Sequence, residues 1–139
     1  MKKIKFLLIS FMISFWSFNL NAADWTMASG YPKSNFHTQN IMKFIDEVKA
    51  NTSVNINLNP NDTLIKLDAI KTSLQRGQIP IGEIRFGIYG NEDPMYILAG
   101  LPFIAPDYAS AWLLKEVKHE YLQNLFNKKG LRILYTSPW

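Results

Sequence analysis

Hydrophobic and polar positions along this chain follow two periods, and the changes between them mark out the elements. Val54, Ile56 and Leu58 alternate with Asn55 and Asn57. That period of two puts every second side chain on one face of a half-buried strand. Upstream, Ile41, Phe44, Ile45 and Val48 fall at helical spacing, while Lys43, Asp46, Glu47 and Lys49 face the other way. The spacing predicts an amphipathic helix, with Ser34 or Asn35 as its cap. Residues 25–29 form a short apolar segment that opens into Gly30-Tyr31-Pro32 and reads as a first strand. Asn59-Pro60-Asn61-Asp62 predicts a turn, with Asp62 as the N-cap of a second helix. The stripe of that helix is Leu64, Leu67, Ile70 and Leu74, and Gly77 closes it after Arg76.

Ile79 and Ile81 begin a third strand. The apolar phase then slips to 84 and 86 across Gly82-Glu83, which predicts a bulge or the end of pairing. Residues 85–93 read as an irregular loop, and Asp93-Pro94 as the start of a turn. The apolar stretch 95–103 is expected to be buried. Asp107 predicts the cap of a helix to about Lys118. Tyr121, Leu122, Leu125 and Phe126 predict another, closed by Gly130. Leu131, Ile133 and Tyr135 alternate as a last strand. Strands and helices in this order predict an α/β fold with a mostly parallel sheet flanked by helices. In such sheets ligands sit beyond the carboxyl ends of the strands. Four loops are therefore candidates: 29–35, 59–63, 85–93 and 136–139.

The first residues follow a different logic. Lys2, Lys3 and Lys5 precede an apolar run at 6–18, broken only by Ser10, Ser14 and Ser17, and a small, polar stretch ends Asn21-Ala22-Ala23. Positive, apolar, then small is the order of a secretory signal peptide, expected at 1–22 with cleavage after Ala22 or Ala23. The alternative, a retained anchor, has to contend with a run shorter than the ~20 residues of a spanning helix. Residues 23–139 then make one domain. Removing the signal also changes the charge. The whole chain carries 15 basic and 11 acidic residues, net +4 at pH 7. Without the three leader lysines the count is 12 against 11, net +1. The basic balance thus gives no reason to expect a nucleic-acid partner. The absence of cysteine rules out disulfides, thiolate metal sites and thiol catalysis.

Little in the sequence points to catalysis. His37 and His119 lie on separate predicted helices, so no metal site and no cofactor is expected. No nucleophile elbow, Walker loop or dinucleotide fingerprint occurs. Glu83 and Glu92 form an acid/base pair on one reading, and on the other a strand-end polar residue and a solvated loop acid. Arg85 is the most informative residue. It ends a predicted strand at the ligand face, beside Phe86 and before Tyr89. A guanidinium there can clamp a carboxylate with two parallel hydrogen bonds. Phe86, Tyr89 and Trp139 would supply apolar walls. The alternative is a surface arginine beside core aromatics.

Several of these segments, in this order, resemble the DctP-like solute-binding proteins of TRAP transporters. Trp25-Thr26-Met27-Ala28-Ser29, then Pro32 and Asn35, open like the mature receptors. Leu74-Gln75-Arg76-Gly77-Gln78 before a short strand is similar to their second helix and third strand. Pro94, Leu101-Pro102-Phe103 and the run 126–135 match later segments. The resemblance implies the first lobe of a two-lobed periplasmic-binding-protein-like (type II) fold. It implies a periplasmic, monomeric receptor that captures a small organic anion, a carboxylate, and delivers it to a membrane permease for ion-gradient-driven uptake. It places Ser29, Gly30 and Tyr31, followed by Asn35, in the first ligand loop, and Arg85, Phe86 and Tyr89 in the third-strand loop. Ser29 stands where some members carry asparagine, and Arg85 where some carry an acid. In the family a carboxylate-anchoring arginine and a second lobe follow the position equivalent to Trp139, and the sequence ends before them. The alternatives are a periplasmic enzyme on a related α/β fold, or a truncated receptor without function.

Overall fold

A computed structural model describes residues 23–137. The expected signal peptide and Trp139 lie outside the described residues. Strand β1, Ala23–Ala28, is followed by helix α1, Phe36–Asn51, and strand β2, Val54–Asn59. Helix α2, Ile70–Gln75, leads to the two-residue strand β3, Ile81–Gly82. Three short 3-10 turns come next, at Phe86–Tyr89, Pro94–Tyr96 and Leu98–Gly100, and then helix α3, Tyr108–Asn127. The sheet order is β2-β1-β3, and both pairings are parallel. β1 pairs with β2 over six residues, from Ala23↔Val54 to Ala28↔Asn59, but with β3 only at Met27↔Ile81 and Ala28↔Gly82.

The alternation seen in the sequence sorts the two faces of the sheet. Met27, Ile56 and Ile81 form one core with Ile41 of α1, and Trp25, Val54 and Leu58 pack around it. On the other face Ala28 meets Ile70 and Ile79, under Leu67 and Leu74. A third cluster joins Tyr89 and Tyr96 to Leu122 and Phe126 of α3. Three N-caps are present, two of them expected, Asn35 and Asp107. Asn35 accepts from the His37 N–H (2.9 Å), Asp93 from Met95 (2.9 Å) and Asp107 from Ser110 (2.7 Å). Gly77 is left-handed (φ +67); its N–H reaches Leu74 O, and that of Gln78 reaches Ser73 O. This paired closure is the glycine-terminated helix end predicted for α2.

Four expectations are corrected. The second helix starts at Ile70 rather than near Asp62. Asn61 and Asp62 are both left-handed (φ +58 and +56), and Asp62 Oδ1 accepts from the Leu67 N–H (2.9 Å), so the segment coils into a loop that leaves Leu64 exposed. The two helices expected after Asp107 are one, because Lys118-His119-Glu120 contains no breaker. The stretch 95–103 is mostly exposed: tight 3-10 turns bring Tyr96 into the core and leave Phe103 97% exposed. Residues 131–137 make no strand. Leu131 and Ile133 pack on the third cluster, and Tyr135 lies against Phe44 at 5.3 Å.

One ion-pair group ties these parts together. Lys71 is buried on α2, with its amine 4.0 Å from the centre of the Tyr89 ring. Glu92 accepts from Lys71 and from Lys129 (2.6 Å). Both hydrogen bonds hold the Glu92 carboxyl below its ordinary pKa, Lys129 contributing the larger share. Glu92 is therefore a structural pin, which removes it from any acid/base pair with Glu83.

Candidate functional site

Parallel pairing puts the ends of all three strands on one edge of the sheet, and the residues just past Ala28 and Gly82 meet there. Ser29 continues β1. Its N–H donates to Asn59 O (3.0 Å), its carbonyl accepts from Asp62 N–H (3.2 Å), and it is fully buried. Its hydroxyl donates to Glu83 Oε2 at 2.5 Å and accepts from the Tyr31 N–H at 3.3 Å. Glu83 is held in turn by its own N–H on Ala28 O (2.9 Å). Burial pushes the Glu83 carboxyl above its ordinary pKa, and the Ser29 hydroxyl draws it part of the way back.

Gly30 is a packing position. A Cβ there would sit 2.6 Å from Leu67 Cβ, so only glycine lets the loop pass beneath that side chain. Beyond it, the Tyr31 carbonyl accepts from the Asn61 N–H (2.8 Å) and the Thr38 hydroxyl (3.3 Å), which locks the first loop to the second. Burial raises the Tyr31 hydroxyl above its ordinary pKa. The Arg85 charge opposes this, the Glu83 charge reinforces it, and a hydrogen bond with Arg85 lowers it again. Arg85 and Tyr31 therefore face one another.

A cleft of about 1150 Å³ runs from this edge along the open side of β3. It is larger than the roughly 300–1,000 Å³ of a small-molecule site. Tyr31, Glu83, Arg85, Phe86 and Tyr135 line it together with apolar residues. Phe86 forms part of its wall, 5.6 Å from Tyr96 and 5.7 Å from Phe126. Of the eight residues expected to bind ligand, Tyr31, Arg85 and Phe86 thus line the cleft. Ser29 and Gly30 do not line it, and Asn35 caps α1. Tyr89 is buried in the third cluster, its hydroxyl on Asp68 O (3.2 Å). Trp139 is outside the described residues.

The lining also includes polar residues that were not expected to bind ligand, Glu83, Tyr135 and Lys118 among them. The sequence leaves Glu83 either half of an acid/base pair or a strand-end polar residue, and the phase slip at Gly82-Glu83 coincides with the end of pairing. Tyr135 was assigned to a strand. Burial and the Glu83 charge both raise its pKa, so it too is within electrostatic reach of Glu83. The Lys118 side chain also reaches the cleft. It is 7% exposed, and burial lowers its pKa.

No family model and no curated protein matches the chain. Solved structures do. DctP6 of Bordetella pertussis, an extracytoplasmic solute receptor binding pyroglutamic acid, is 34% identical, with a TM-score of 0.79 over 81% of this chain and 38% of that one. DctP7 of the same organism, also binding pyroglutamic acid, is 35% identical, with a TM-score of 0.81 over 85% of this chain and 40% of that one. A marine-metagenome TRAP solute-binding protein specific for pyroglutamate is 32% identical, with a TM-score of 0.82 over 86% and 40%. The chain therefore spans about two fifths of the length of these receptors. Its three-stranded parallel sheet flanked by helices matches a lobe of their fold. The chain belongs to the DctP-like family of TRAP-transporter periplasmic solute-binding proteins.

Proposed function

We propose that this chain supplies one half of a periplasmic receptor that captures a small organic carboxylate and presents it to a TRAP permease. One observation carries the reading. Arg85 opens onto a cleft at the carboxyl edge of a parallel sheet, in a chain about one third identical to receptors for pyroglutamate. Arg85 supplies the positive charge. Its guanidinium carries five N–H donors in a planar fork whose geometry matches a carboxylate. Phe86 and Tyr31 supply the walls. The role is binding rather than catalysis, and the leader directs export and is then cleaved after Ala22 or Ala23.

The half-site sets an expected affinity. A micromolar complex is worth about −8 kcal/mol, and half of that corresponds to a dissociation constant near millimolar. The test is ligand-observed NMR on the chain with small carboxylates and, as controls, neutral sugars and amines. Carboxylates should bind selectively with millimolar constants, and Arg85→Ala should weaken them at least tenfold, as expected for a charge-assisted pair. Equal binding of controls and carboxylates, or full affinity in a folded Arg85→Ala variant, would sink the reading.

A further inference from the structure

We propose that Glu83 is a solute-contacting residue that selects carboxylates carrying an N–H or O–H donor within a few bonds of the carboxylate; this rests on the receptor reading above. The geometry begins with Ser29. A serine hydroxyl has one proton to give, and that of the fully buried Ser29 goes to Glu83 Oε2 at 2.5 Å. One carboxylate oxygen is thereby fixed, and the position of the other follows from the planar group. Among the described residues, no donor reaches Oε1.

A structural glutamate in such a place would be matched by a cation, as Glu92 is by Lys71 and Lys129. Glu83 has a different environment. The influences on its carboxyl are burial and the Ser29 hydroxyl. With one oxygen held by Ser29, the other can accept from water or from a solute that enters the cleft. The side chain lines the cleft, so the missing donor can come from a solute.

Arg85 lies two residues further on, and its backbone is extended (φ −93, ψ 111). Both side chains line the cleft, and both charges act on the Tyr31 hydroxyl. Glu83 and Arg85 thus offer a negative acceptor and a positive fork to one small molecule. The solute's carboxylate takes Arg85, and its neighbouring donor takes Glu83 Oε1. A plain dicarboxylate would bring its second charge against Glu83 and is disfavoured. Lactams, hydroxy acids and acylated amino acids fit the pair. Pyroglutamate, the ligand of the receptors compared above, is one such lactam.

The test changes one atom of the probe. Pyroglutamate and its lactone analogue, 5-oxotetrahydrofuran-2-carboxylate, differ at the ring N–H, which becomes an oxygen. Dissociation constants for both are measured by ligand-observed NMR on the chain, on Glu83→Gln and on Arg85→Ala. Pyroglutamate should bind the chain about tenfold more tightly than the lactone, the order of a single charge-assisted hydrogen bond. In Glu83→Gln the Ser29 hydroxyl takes the amide oxygen and turns the NH₂ toward the solute, so the ratio should fall to near one. Arg85→Ala should weaken both probes while keeping their ratio.

Equal binding of the two probes to the unaltered chain overturns the proposal and leaves the receptor reading standing. So does a folded Glu83→Gln variant that keeps the tenfold ratio. Binding of simple carboxylates without any binding of pyroglutamate has the same meaning. Failure of every carboxylate to bind overturns the receptor reading itself. If Glu83→Gln does not fold, the comparison of probes on the unaltered chain still decides the matter.

Discussion

Gly30 shows how narrowly single residues constrain this site. Its backbone carries the chain from Ser29 to Tyr31 directly under Leu67, whose Cβ, Cγ and Cδ1 would lie 2.6, 3.0 and 2.8 Å from an added Cβ. Gly30→Ala should lower stability by about 1–3 kcal/mol, the usual cost of forcing a methyl into filled space, seen as a lower urea midpoint at unchanged slope. Leu67→Ala would remove the outer atoms but not the Cβ. The double variant should therefore remain less stable than Leu67→Ala alone; full recovery would mean that the loop moves aside easily. The resemblance implies that Gly30 is in a ligand loop; in the structure it is a packing position against Leu67. What it presses against comes from a segment 37 positions away, folded by two left-handed residues that no periodicity reveals. Arg85 could be placed at the cleft from its position just past a predicted strand, and it does line the cleft. The fixed carboxylate of Glu83 was not legible in this way, since its meaning depends on Ser29 lying beside it.

Between elements, the buried Lys71 is the member most exposed to loss of a partner. It joins α2 to Glu92 in the loop after the 3-10 turn Phe86–Tyr89, and Glu92 joins both to Lys129 at the end of α3. Glu92→Gln should cost about 1–3 kcal/mol at neutral pH, because a buried ammonium loses its charged acceptor. The pH dependence follows from the direction of the shift. The folded carboxyl lies below its ordinary value of 4.5, so its stabilisation is present above that value and is lost as pH falls through the lower folded one. Thermal melts from pH 7 to pH 3 should show this acid loss in the unaltered chain and a shallower one in Glu92→Gln. Identical profiles would show that the pin carries no weight. The helices themselves were readable to different degrees. α1 combined a true stripe with a local cap at Asn35, so pattern and structure agree. α2 did not, because the Asp62 side chain caps a loop instead of a helix. The expected last strand needed an edge to pair with, and β3 offers two residues.

At the scale of the whole chain, the three strands are unequally secured, and this decides where the molecule opens. β1 and β2 share six paired residues with α1 packed across them, while β3 is held to β1 by two pairs and the Glu83–Ala28 bond. Backbone amides exchange with solvent according to the free energy of the opening that exposes them, and short ladders open locally. Amides in the β1–β2 unit should exchange most slowly, and those at 81–85 much sooner. The proposed solute site thus lies on the loosest strand of the sheet. A bound carboxylate that bridges Glu83 and Arg85 would close that strand down, so saturating pyroglutamate should slow deuterium uptake at 81–85 and at Tyr31 while leaving Ile56 and Leu58 unchanged. Uniform slowing across the sheet would place the solute elsewhere. The two-residue length of β3 thereby becomes a reporter, in which occupancy of the cleft is read as protection of a few amides.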